Sequence, residues 1–123
     1  MIDRYLIAIE KKLREIADLT LDYSLKVERP EFTGLVYIQG EITFFEGSKL
    51  TFSQLFSGKP ISYRFHLMDA RQALVRRWDS APHHREFKTF PFHMHTPDGV
   101  LAAKAISLPE AIDGSIEVLL RNL

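Results

Sequence analysis

The segment Arg76-Arg77-Trp78-Asp79-Ser80-Ala81-Pro82-His83-His84, with Phe90-Pro91-Phe92-His93-Met94-His95 a few residues on, holds four of the chain's five histidines. Imidazole is the side chain that gains or loses a proton near neutral pH. Beside arginines and an aspartate, such a group admits three chemistries. In the first, two of His83, His84, His93 and His95 act as acid and base on a phosphodiester. One takes the proton of a ribose 2′-hydroxyl and another protonates the leaving oxygen. Arg77 or Arg64 would steady the developing negative charge, and Asp79 would fix the tautomer of a neighbouring histidine. In the second, His83, His93, His95 and Asp79 ligate a divalent metal, since H-x-H on a strand plus a carboxylate is acceptable ligand chemistry. In the third, the histidines are structural, hydrogen-bonding within a proline-rich loop.

Positioning follows from the neighbours. Pro82 and Pro91 push Ala81 and Phe90 toward extended conformations, which stiffens the connection between them. His93 and His95 are two apart, so an extended backbone points both to one side of a sheet. Arg77 and Asp79 share a face by the same argument, and Arg76 shares the other with Trp78, which reads as a core residue. His66 alternates with Arg64 on the face opposite Tyr63, Phe65 and Leu67. There is no glycine-rich phosphate loop, no G-x-S-x-G and no RNP-type aromatic motif, so nucleotide-cofactor chemistry and serine hydrolysis are poor fits.

The elements around this segment are legible from periodicity. Ile2, Leu6, Ile9, Leu13 and Ile16 mark one face of an N-terminal helix, with Glu10 and Arg14 paired on the other side. Leu21, Tyr23, Leu25 and Val27 then alternate as a half-buried strand. Strands are expected over 34–45, 49–56, 61–67 and 74–79, separated by turn residues such as Glu46-Gly47-Ser48 and Ser57-Gly58-Lys59-Pro60. Connections this short imply antiparallel neighbours. Ser107 and Glu110 form a capping box with Pro109 in the first turn of a second helix. Ile112, Ile116, Leu119, Leu120 and Leu123 are its expected apolar face, locally weakened by Gly114. The expected fold is α+β: an antiparallel meander of five to seven strands with an N-terminal and a C-terminal helix packed on it.

At 123 residues, 46% apolar and 26% charged, the chain reads as one globular domain over 1–123. With no cysteine, disulfides, thiolate catalysis and zinc-finger ligation are excluded. Charges at Asp3, Arg4, Glu10, Lys11 and Lys12 interrupt any signal-peptide core, and no run reaches the roughly 20 apolar residues of a membrane span. A cytoplasmic protein with no membrane contact is expected. Net charge is zero, yet six arginines and lysines face three acids between Arg64 and His95. This is a local anion site more than a broad nucleic-acid surface.

Arg77-x-Asp79-Ser80-Ala81-Pro82-His83-His84, followed by Pro91-x-His93-x-His95, resembles the signature of TumE-like proteins, toxins of type II toxin–antitoxin pairs. That pattern runs R-x-D-N-A/S-P-H-H, a spacer with Ser or Thr near the second proline, then P-x-H-x-H; Thr89 and Pro91 fit it. The resemblance covers roughly the C-terminal half, from about Tyr63 onward. One departure is Ser80 in place of asparagine, which keeps a hydroxyl but loses the amide's paired donor and acceptor. The resemblance implies a toxin paired with a helix-turn-helix antitoxin, with ribonuclease activity, RNA as target and no cofactor. A second copy of the chain, as a homodimer, is a further expected partner. The alternative is a non-catalytic module that binds protein or metal through the histidine-rich loop.

Overall fold

The computed structural model describes residues 2–123. Helix α1 (Ile2–Glu15) runs through a short 3-10 turn (Ala17–Leu19) into strands β1 (Thr20–Glu28), β2 (Leu35–Phe44), β3 (Lys49–Ser57), β4 (Pro60–Met68), β5 (Leu74–Asp79), β6 (His93–Thr96) and β7 (Gly99–Ala102). Helix α2 (Leu108–Arg121) closes the chain. The seven strands form one sheet in sequence order, every neighbour antiparallel. This is the expected α+β meander flanked by two helices. The turns are tight for local reasons: the Asp69 carboxylate, for one, accepts from the amides of Arg71 and Ala73 between β4 and β5.

Both helices pack on one face of the sheet. Ile9 and Leu13 of α1 and Leu108, Ala111 and Ile112 of α2 join Ile38, Ile42, Leu50, Phe65, Leu67 and Trp78 in a single core. Tyr5 ties the layers together, since its hydroxyl donates to Gln54 Oε1 on β3 and accepts from the Leu108 amide of α2. The capping box forms as expected, with Glu110 N donating to Ser107 Oγ and Ser107 N to Glu110 Oε1. Trp78 lies in the core.

Two expectations are corrected, and one strand was not foreseen. The first strand is not half-buried: Leu21, Tyr23 and Val27 are 68%, 53% and 37% exposed, because β1 is an edge strand beyond the cover of the helices. The buried stripe of α2 is Leu108, Ala111, Ile112, Ser115, Val118 and Leu119, while Leu120 and Leu123 face solvent. Small residues let this face approach closely, and a Cβ on Gly114 would stand 3.2 Å from the Trp78 ring. Gly114 is therefore a packing contact as well as a weak helix former. Finally, β7 has no counterpart among the expected strands; four residues after a Pro97-Asp98 turn give too short a pattern to read.

Candidate functional site

The register of β4, β5 and β6 builds the site. Arg64 stands opposite Asp79, and Asp79 opposite His93; one row along, His66 faces Arg77 and Arg77 faces His95. Residues opposite one another in an antiparallel pair share a face. Six polar side chains thus lie in two rows on the face away from the helices, while Phe65, Trp78 and Met94 form the intervening row toward the core. His93 and His95 share a side of β6, and Arg77 shares that side with Asp79.

Asp79 is the hub of the two rows. Its Oδ1 lies 2.7 Å from His93 Nε2 and accepts from the Ala81 amide at 3.0 Å. Its Oδ2 lies 3.2 Å from Arg77 Nε and 3.5 Å from His95 Nε2. A carboxylate only 5% exposed needs such partners, because burying a charge is costly unless it is paired. His93 is 2% exposed and its Nδ1 lies 3.0 Å from the Pro91 carbonyl, so both of its ring nitrogens are occupied by oxygens.

The irregular connection, residues 80–92, brings a third imidazole over these two. His84 adopts φ 61°, a left-handed backbone uncommon outside glycine. Its ring centroid lies 5.1 Å from that of His93 and 6.0 Å from that of His95, which are themselves 4.9 Å apart. Its Nδ1 pairs with Glu86 Oε1 at 3.1 Å. Thr89 pins the far end of the loop, donating to the Phe92 carbonyl and accepting from the Ala103 amide. The departure at Ser80 is structural: its buried hydroxyl accepts from the Tyr63 amide at 2.9 Å and so locks the ends of β4 and β5.

A cleft of about 470 Å³ opens here, lined by Arg64, Arg77, Asp79, His83, His84, His93 and His95 together with Tyr37 of β2 and Ser53 of β3. His83 reaches the cleft wall but is exposed and, among the described residues, makes no ring contact with the other histidines. The two arginines differ. Arg77 is bound to Asp79, whereas Arg64 is exposed and, among the described residues, forms no ion pair. Glu86, Tyr37 and Ser53 escaped the sequence reading; only the alternation of β3, which puts Ser53 on the polar face, gave any signal.

Electrostatics separate the imidazoles. Burial, reinforced by the Arg77 guanidinium, pushes the His95 pKa down against the opposing pull of Asp79, which favours the neutral imidazole. His66 is pushed down likewise by burial and then by Arg77 and Arg64, and its buried Nδ1 has no hydrogen-bond partner. Glu86 is lowered, first by its own backbone amide and then by His84.

The ligand atoms of His84, His93 and His95 lie within 4.8 Å of one another. Metal–nitrogen bonds of about 2.0–2.1 Å would require these atoms to close up. His93 Nε2 would also have to release Asp79. The grouping that geometry allows contains His84 where the sequence pointed to His83, and leaves Asp79 at the margin.

Fold and cleft together define an α+β protein that carries a histidine–arginine cleft on the open face of an antiparallel sheet. The model of a toxin family, toxin TumE, matches residues 9–122, and the chain belongs to that family. The match takes in the N-terminal half as well as the region of the motif. Among curated proteins and solved structures, none matches the chain. Membership in a toxin family implies an antitoxin partner. No described helix is long and apolar enough to cross a membrane.

Proposed function

We propose that this protein is a ribonuclease toxin that cleaves RNA by metal-independent histidine acid–base catalysis, acting in the cytoplasm and held in check by a helix-turn-helix antitoxin. The observation that carries the reading is the division of roles around the cleft. His95, whose pKa burial lowers and whose side chain is 19% exposed, suits a base. His84, 31% exposed and oriented by Glu86, suits the acid. His95 takes the proton of a 2′-hydroxyl, whose oxygen attacks phosphorus. The P–O5′ bond breaks, and His84 gives its proton to the departing O5′. The products are a 2′,3′-cyclic phosphate and a 5′-hydroxyl end.

Arg64, with no ion-pair partner among the described residues, meets the non-bridging oxygens. His93 and Asp79 position the base and do not touch substrate, because their atoms are committed to one another. His83 lines the approach. The test is cleavage of total RNA by the purified chain with chelator present, with the new ends characterised by mass spectrometry. Cyclic phosphate ends from wild type supports the reading. Cleavage that chelator abolishes would transfer His84, His93 and His95 to a metal site, and no cleavage at any pH would leave a binding module.

A further inference from the structure

The two edges of the sheet are unlike. β7 has four residues, and shortness is one way in which an edge is protected from pairing. β1 has nine, and no strand pairs with its outer side among the described residues. Tyr23 and Val27 stand opposite the buried Ile42 and Ile38, so they belong to the apolar face, yet they are 53% and 37% exposed. The apolar face of the sheet runs out to this edge, where Leu25 is partly buried against the core and Tyr23 and Val27 are left uncovered.

β1 also complements itself when reversed. With its middle residue Ser24 on a two-fold axis, antiparallel pairing sets Asp22 against Lys26 twice and Tyr23 against Leu25 twice, with Leu21 toward Val27. The Asp22–Lys26 and Tyr23–Leu25 pairs each join residues of the same face, as antiparallel pairing requires, while Leu21 lies at an irregularity in the β1–β2 register. Shifting the axis to Leu25 would set Asp22 against Glu28, and shifting it to Lys26 would set that lysine against itself. Within one chain Asp22 forms no ion pair among the described residues, while Lys26 has only the exposed Glu28 at 3.3 Å.

We propose that two copies of this chain associate through antiparallel β1–β1 pairing centred on Ser24, joining their sheets into one continuous sheet. The interface is isologous and closed, so it yields a dimer and no filament. It stands independently of the reaction proposed for the cleft.

The experiment is sedimentation equilibrium on the full chain and on Asp22→Lys, Lys26→Asp and the double exchange, with folding checked by circular dichroism. Wild type should be a dimer. Each single variant opposes like charges at two places and should raise the dissociation constant about tenfold or more. The double exchange should restore the dimer, and mixing the two single variants should give a heterodimer tighter than either alone. A wild type that stays monomeric at every concentration overturns the proposal. So do single variants that dimerise as tightly as wild type, or a folded double exchange that remains monomeric.

Discussion

His93 Nε2 lies 2.7 Å from Asp79 Oδ1, and the two side chains are among the most buried polar groups of the chain. The contact joins neighbouring strands β5 and β6 directly across the sheet. Removing the buried Asp79 carboxylate leaves the Arg77 guanidinium, the His93 imidazole and the Ala81 amide without their acceptor, and loss of one partner of a buried ion pair costs about 3–5 kcal/mol. Asp79→Ala is therefore expected to lower unfolding free energy by about that amount in urea titrations. It should also abolish cleavage, because His95 and Arg77 lose the carboxylate that sets them.

The two arginines of the cleft should separate cleanly. Arg64→Ala removes an exposed cation that forms no ion pair among the described residues, and is expected to reduce cleavage by about 10²–10³-fold with unchanged stability. Arg77→Ala removes a partner of buried Asp79 and should lower stability measurably. Paired melting and cleavage assays on the two variants make the comparison.

Stability should fall on acidification below neutral pH. His95 and His66 both have pKa values lowered from 6.5 in the folded chain, so the unfolded chain binds more protons between the folded and unfolded values. Their contribution is fully present above about 6.5 and is lost as pH drops through the folded values. His66→Gln removes one of the two groups and should flatten the acid side of a stability–pH curve. The acid-side limb of the cleavage profile, set by protonation of the base, should persist in that variant, since His95 remains.

Much of this architecture was legible in the sequence. Alternation placed Arg64 with His66 on one face of β4 and Arg77 with Asp79 on one face of β5, and Ser107 with Glu110 marked the start of α2. The exposure of Tyr23 and Val27 was not legible, because alternation reports which face a residue joins and not whether a helix covers it. The burial of Ala111 and Ser115 in place of Leu120 was not legible for a related reason: a closely packed helix face selects small residues, which hydrophobicity does not flag. The preference for His84 over His83 depends on a single left-handed backbone angle in the loop. Opposition of Arg64 to Asp79 depends on register, which no spacing within one strand encodes.

Gly40 offers a test of the sheet itself. A Cβ there would meet the Ser24 carbonyl oxygen at 2.1 Å and the Phe52 ring at 2.8 Å. Gly40→Ala should force β1 away from β2 and cost about 1–3 kcal/mol, as overpacking does. Amide hydrogen exchange should show the loss of protection concentrated in β1.

Cleavage of RNA in excess chelator by wild type, His95→Ala, His84→Ala and His83→Ala tests the central claim most directly. General acid and base groups are each worth about 10²–10⁴-fold, so His95→Ala and His84→Ala should lose that much rate with native circular dichroism, while His83→Ala stays close to wild type. Wild-type cleavage that disappears with chelator, or that survives unchanged in His95→Ala, would contradict the account.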